Sequence, residues 1–156
     1  MGLGSNLAHP ACQIKQALKE LAQLPGCHLL AHSRFYRSPP WGPIAQPDYV
    51  NAVAVLVSRL APSQLLRRLL ALEARHGRIR SVRWGARTLD LDLLVWGAKR
   101  LRQPSLRLPH PALRRRSFVL YPLAELAPRL NIPGYGRLPN LLAQCGRHGL
   151  RFRADC

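Results

Sequence analysis

The run Arg83-Trp84-Gly85-Ala86-Arg87-Thr88-Leu89-Asp90-Leu91-Asp92-Leu93-Leu94-Val95-Trp96-Gly97 carries two of the chain's 7 acidic residues, two positions apart with Leu91 between them. In a strand, successive side chains alternate between faces, so Leu89, Leu91 and Leu93 share one face while Asp90 and Asp92 share the other. Two like charges side by side cost stability unless something positive lies between them. A hard divalent cation suits that place. Magnesium prefers oxygen ligands, takes one or two carboxylates and leaves its other positions to water and substrate phosphates. Pairing with nearby arginines at a solvent-facing strand edge is the competing explanation.

The surroundings favour phosphate chemistry. Arg78, Arg80, Arg83 and Arg87 precede the acidic pair in a segment that also contains Gly77 and Gly85, which would allow a mobile loop, and Arg114-Arg115-Arg116 follows Leu108-Pro109-His110-Pro111. Guanidinium groups bind phosphate oxygens bidentately and neutralise charge that develops on a leaving group. An acidic metal site flanked by two arginine clusters meets the needs of nucleotide phosphoryl transfer. There is no Walker-type glycine loop, which excludes a P-loop fold by motif.

The elements that must hold these residues are legible from periodicity. Ile14, Ala17, Leu18, Leu21 and Leu24 predict a helix opened by Pro10 and stopped by Pro25-Gly26. Strands are predicted over 28–37 and 49–58, the second apolar on both faces as in a central strand. Leucines 65, 66, 69 and 72 predict a helix over 62–76 with Gly77 as its stop. The clearest strand runs from Thr88 to Trp96, then Gly97-Ala98-Lys99 turns the chain back; Phe118 to Leu126 reads as a helix and Leu138 to Gln144 as a short one, before a less structured basic tail. The βαββαβ order is that of a ferredoxin-like α+β fold, an antiparallel sheet covered by helices on one face (an α/β sandwich). Between the second and third strands lies Ser38-Pro39-Pro40-Trp41-Gly42-Pro43-Ile44-Ala45-Gln46-Pro47-Asp48. It is too long for a hairpin turn and stiffened by proline, so it reads as a functional loop or, failing that, a rigid spacer.

Composition bounds these readings. The 156 residues, 47% hydrophobic, suit one compact domain, with the tail from about 134 the least defined part. No run of about 18 apolar residues and no basic-then-apolar start is present, so a soluble cytoplasmic protein without a signal peptide is expected. Four scattered cysteines form no CxxC pair and suit reduced thiols. His28 and His32 would lie about 13 Å apart on a strand, which argues against a shared metal. The balance of 24 basic against 7 acidic residues, formally +17, will attract polyanions whatever the protein's task.

Gly4-Ser5-Asn6-Leu7, Tyr36-Arg37-Ser38-Pro39-Pro40, Gln46-Pro47-Asp48-Tyr49-Val50-Asn51-Ala52, the segment from Arg83 to Asp92, and Leu108-Pro109-His110-Pro111 resemble the 6-hydroxymethyl-7,8-dihydropterin pyrophosphokinases in order and spacing, from Met1 to about Pro133. The resemblance implies an enzyme that moves diphosphate from ATP to the pterin hydroxymethyl group and releases AMP in folate synthesis. It implies that Asp90 and Asp92 bind two magnesium ions. Glu73, Arg78, Arg80, Trp84, Arg87, His110 and Arg116 would line the ATP side, with Arg78 and Arg87 catalytic beside the aspartates. Ser38, Pro39, Trp41, Tyr49, Asn51, Trp84 and Phe118 would bind the pterin, with Tyr49 and Phe118 stacked on its two faces and Asn51 reading its edge. A monomer without specific nucleic-acid or membrane partners is expected. Only Met1-Gly2-Leu3 precede the Gly-Ser-Asn motif, where the family has several apolar residues, so the first strand is expected to be a stub, too short for a full central strand.

Two other classes compete: an RNA-binding module on the same scaffold, and an inactive relative serving as an interaction module. The first has charge in its favour but no RNP-type aromatic run. Binding of random RNA should therefore be weak, sequence-independent and largely lost at moderate salt, as a filter-binding salt titration would show. Tight, sequence-selective binding that survives salt would favour the RNA-binding module.

Overall fold

A computed structural model describes residues 1–78 and 85–152. The fold is α+β, with four helices and an antiparallel sheet. In chain order the elements are β1 (Gly2–Ser5), α1 (Pro10–Ala22), β2 (Cys27–His32), β3 (Tyr36–Ser38), β4 (Tyr49–Ser58), α2 (Pro62–Arg75), β5 (Asp90–Asp92), β6 (Leu101–Arg102), β7 (Arg107–Leu108), a single 3-10 turn (Leu113–Arg115), α3 (Ser117–Leu126), β8 (Asn131–Ile132), β9 (Gly136–Arg137), α4 (Leu138–Cys145) and β10 (Arg151–Phe152). The main sheet runs β10-β3-β4-β1-β5, with β2 also paired to β4. β6–β7 and β8–β9 are separate two-stranded ribbons.

Helix α1 begins with Pro10, whose missing N–H costs nothing in a first turn. Its Ala11, Ile14, Ala17, Leu18 and Leu21 form the buried stripe. Helix α2 also opens on proline, and the Gln64 carboxamide accepts the Ala61 N–H at 2.9 Å, satisfying one donor left open at the helix start. Its Leu65, Leu69 and Leu72 join the α1 stripe over Leu3, Val50, Ala52, Ala54, Leu89, Leu91 and Leu93.

The opposite face is not bare. Val53 and Leu94 point into a second core with Leu113, Val119, Leu120, Leu123, Ile132, Leu138, Leu141 and Cys145 from the chain's last third. Helices therefore cover both faces of the sheet, a correction to the expected one-sided covering. The reason lies in β4: its even-numbered Val50, Ala52 and Ala54 and its odd-numbered Val53 are all buried, so each face demands a partner layer. Glu125 ties α3 to the sheet by accepting from the Arg34 N–H and Nε at 3.1 Å each and from the Tyr36 hydroxyl at 2.8 Å. Residues beyond 134 are part of this layer: α4 spans Leu138–Cys145, and β10 pairs with β3.

Three other elements differ from the sequence reading. The stretch 28–37 is two strands, β2 and β3, separated at Ser33, whose hydroxyl accepts the Val53 N–H at 2.9 Å; both strands pair with β4. The strand expected from Thr88 to Trp96 is regular only over Asp90–Asp92, because its register on β1 runs from Gly4↔Asp90 to Gly2↔Asp92. Past that point the Leu94 carbonyl accepts the His110 N–H at 2.8 Å instead. β1 is short, as expected, yet it lies between β4 and β5 and pairs with both.

Leu69 is fully buried between α1, α2 and the sheet. Leu69→Ala should lower unfolding free energy by about 2 to 5 kcal/mol in a urea titration, as large-to-small changes in cores do.

Candidate active site

The site grows from the β1 register. Gly4 lies between Asn51 and Asp90, and Gly2 between Val53 and Asp92, all on the sheet face away from α1 and α2. Side chains at positions 2 and 4 would fill the floor: a Cβ on Gly4 would sit 3.5 Å from Asn51 Oδ1 and 4.0 Å from Asp90 Cβ. The glycines thus leave a hollow between the side chains of β4 and the carboxylates of β5. Gly4 lies in β1, and only the register shows its role as floor.

One cavity opens over that floor. Ser38, Pro39, Trp41, Tyr49, Asn51 and Phe118 line it, together with Gly2, Gly4 and Leu94. The Asn51 amide donates to Ser38 Oγ at 3.0 Å, which orients the amide inside the hollow. Trp41 meets Phe118 edge-on at 6.0 Å between centroids. The Tyr49 hydroxyl lies 3.3 Å from both Gln46 Oε1 and the Gly85 carbonyl, and burial pushes its pKa up, so it stays a neutral donor. All the described residues expected to form one flat-ring pocket are therefore brought together. Trp84 and Arg80 lie outside the described residues.

A second, more polar cavity adjoins it, lined by Glu73, Arg78, Arg87, Asp90, Asp92, His110 and Arg116, with Leu66, Leu70 and Ser105. Leu66, read from its spacing among the core leucines, and Leu70, not singled out in the sequence, also line the cleft, where the α2 orientation puts them. Gly85, Arg87, Asp90, Asp92 and Arg116 line both cavities. The acidic pair thus stands at the junction.

Electrostatics at the junction are dense. Asp90 pairs with Arg78 at 2.7 Å and with Arg87; Asp92 pairs with Arg116 at 2.9 Å and lies 3.9 Å from His110 Nε2. Burial works against the Arg87 charge, but the Asp90 carboxylate overcomes it and raises the guanidinium's pKa. Burial pushes the His110 imidazole down, although Asp92 pulls it the other way. Glu73, 2% exposed, pairs with Arg78 and accepts the Leu91 N–H at 2.7 Å. Burial drives its pKa up against both contacts. Glu73 therefore covers the outer edge of β5 while steering Arg78 toward Asp90.

The oxygen donors of Asp90 and Asp92 at the junction are of the kind a hard cation such as magnesium takes. Two carboxylates on one strand face are the usual protein share of a magnesium shell that phosphates and water complete. Among the described residues the buried Arg116 Nε finds no hydrogen-bond partner, an open donor at the same junction.

Asn6, 3% exposed, joins the parts. Its Oδ1 accepts the Arg87 N–H at 2.7 Å, its Nδ2 donates to Gln46 Oε1 and the Pro47 carbonyl at 3.0 Å each, and its backbone N–H donates to the Arg87 carbonyl at 3.0 Å. The proline-rich loop, β1 and the approach to β5 are thus fixed to one amide. Asn6→Ala should cost about 1 to 3 kcal/mol in urea denaturation, because buried polar partners lose their bonds. Asn6→Asp keeps the acceptor for Arg87 but turns a buried anionic oxygen toward Gln46 Oε1 and the Pro47 carbonyl, so it should lose at least as much.

Comparison with known proteins bears on this arrangement. A model of the 7,8-dihydro-6-hydroxymethylpterin-pyrophosphokinase family matches residues 1–128. The chain is 50% identical over 150 residues to the 2-amino-4-hydroxy-6-hydroxymethyldihydropteridine pyrophosphokinase of Pseudomonas aeruginosa, covering 96% of this chain and 93% of that protein. It is 44% identical over 148 residues to the protein of the same name from Haemophilus influenzae, covering 95% and 92% of the two chains. The two adjoining cavities, with the acidic pair between them, thus sit in a chain that belongs to the 7,8-dihydro-6-hydroxymethylpterin-pyrophosphokinase family.

Proposed function

We infer that this chain transfers diphosphate from ATP to 6-hydroxymethyl-7,8-dihydropterin, releasing AMP, in folate biosynthesis. The observation that carries this reading is the junction: an aromatic-walled hollow and an arginine-lined cleft share Asp90, Asp92, Arg87 and Arg116. A reaction joining two substrates needs their reacting atoms to meet, and the cavities meet at the carboxylates.

In this reading Tyr49 and Phe118 take the two faces of the pterin ring, and Asn51, already oriented by Ser38, reads its edge with one donor and one acceptor. Arg78, Arg87, His110 and Arg116 hold the triphosphate, with Arg80 and Trp84 joining them on the strength of the family resemblance. The pterin hydroxyl oxygen attacks the β-phosphorus in line. A new O–P bond forms there, the bond from that phosphorus to the α,β-bridging oxygen breaks, and AMP leaves with the electron pair. The hydroxyl proton passes to solvent. The arginines neutralise the charge on the departing group. Two magnesium ions held by Asp90 and Asp92 would supply charge neutralisation across the phosphate oxygens.

The element order and the sheet order β3-β4-β1-β5 support a ferredoxin-like reading of the scaffold, with β2 and β3 together standing for its second strand. The proposal carries with it a one-domain monomer working in the cytoplasm. Among the described residues no helix is long and apolar enough to cross a membrane.

The direct test mixes the protein with magnesium, ATP and the hydroxymethyl dihydropterin and measures AMP; folded protein that makes none sinks the reading. Asp90→Asn and Asp92→Asn should each lower turnover more than a hundredfold, about 3 kcal/mol of transition-state stabilisation, while pterin affinity changes much less. Near-normal turnover in both at saturating magnesium would remove the carboxylates from the metal site. Tyr49→Ala and Phe118→Ala should each weaken pterin binding by about 1 to 3 kcal/mol in calorimetry and leave ATP affinity nearly unchanged.

A further inference from the structure

The end of α2 also makes a contact with α1 whose residues, His76, Gln13 and Glu20, line neither of the two cavities. The helix stops in a left-handed turn: the Gly77 N–H donates to the Ala74 carbonyl at 3.0 Å, and the Arg78 N–H donates to the Glu73 carbonyl at 3.1 Å, with Gly77 at φ +71°. That six-to-one bond folds the chain back over the helix end. Glu73 thus holds Arg78 twice, by its carbonyl through the backbone and by its carboxylate through the guanidinium.

The residue at the turn is His76, whose side chain is only 8% exposed. Its Nδ1 lies 2.6 Å from Gln13 Oε1 and its Nε2 lies 3.2 Å from Glu20 Oε1, both on α1. Gln13 Nε2 donates to the Ala8 carbonyl at 3.2 Å, which fixes the amide with its oxygen toward the ring. Glu20 is held in turn by Gln16 at 3.0 Å and Arg75 at 3.4 Å. Burial opposes the Glu20 charge, but the bonds from Gln16 and His76, with Arg75, outweigh it and keep its carboxyl below the usual range. The two ring nitrogens thus face an amide oxygen and a carboxylate oxygen of α1.

We propose that His76 is a positioning residue for the nucleotide: by bridging Gln13 and Glu20 it anchors the last turn of α2 to α1, and so sets Arg78 between Glu73 and Asp90. The inference rests on the reading of Arg78 as a triphosphate ligand. Helix ends fray unless something holds them, and here only Gly77 lies between the anchor and Arg78. An unanchored turn would let Arg78 spread over several arrangements, and binding would then have to select one of them. The pterin hollow, built from β1, β3, β4 and α3, shares no residue with the anchor.

The test compares wild type, His76→Ala and His76→Gln. Titration with the non-hydrolysable α,β-methylene analogue of ATP plus magnesium is followed by calorimetry, beside pterin titrations, melting curves and the KM for ATP. His76→Ala should weaken the analogue and raise the KM for ATP by about tenfold, with pterin affinity unchanged. His76→Gln, which keeps one donor group near the α1 acceptors, should recover part of this. Glu20→Ala should have the same sign, and its effect should not add to that of His76→Ala. A lowered melting temperature with analogue affinity intact, equal losses for both ligands, or no rescue by glutamine would each overturn the proposal. The binding readout needs no turnover, so a protein that binds the analogue but forms no AMP would defeat the pyrophosphokinase reading without deciding this one.

Discussion

Two carboxylates two residues apart on the same strand face repel each other, and much of the molecule can be understood as the means of keeping them there. Asp90 and Asp92 are set by three residues of ladder against β1, and the far edge of their strand is closed by a glutamate instead of another strand. Arg78, Arg87, Arg116 and His110 surround the pair. Without ligands these contacts offset the repulsion, and the same guanidinium groups are those best suited to phosphate. The site therefore stores its own counter-charge in a form that phosphates can share.

That arrangement explains why a cationic surface and a scarcity of acids coexist. Each carboxylate of the described residues has a cationic partner: Glu20 with Arg75, Asp48 with Arg37, Glu73 and Asp90 with Arg78, Asp92 with Arg116, and Glu125 with Arg34. The exposed pairs contribute little to stability, as solvent screens them. The buried ones at the junction are different, because an unpaired charge there would be costly. Acids are thus concentrated where geometry needs them, and most of the arginines are left to the surface.

The sheet separates stability from chemistry. One face of β1 carries Leu3 into the main core, while the other carries Gly2 and Gly4 beneath the hollow. The second core beyond that hollow, assembled from α3, α4 and β8, holds Phe118 in place at the start of α3. Asn6 then links the strand to the proline-rich loop and to Arg87 through one buried amide. Few residues in contact with the cavities are independent of one another.

Local periodicity determined a good deal. Alternation along 89–93 put both aspartates on one face, helical spacing located α1 and α2, and the proline-rich segment was too long to be a turn; each depends only on neighbours in the chain. Long-range pairing decided the rest. β5 is three residues long because its register on β1 ends at Gly2↔Asp92, and no property of Leu93 or Leu94 announces that. Ser33 interrupts a strand because its hydroxyl bonds across to Val53. Gly4 is a cavity floor only because Asn51 and Asp90 flank it, and Leu66 faces the cleft only because α2 is rolled by its buried leucines. Side-chain periodicity reports which face a residue shares, whereas what lies opposite that face is settled only when distant segments pack against it.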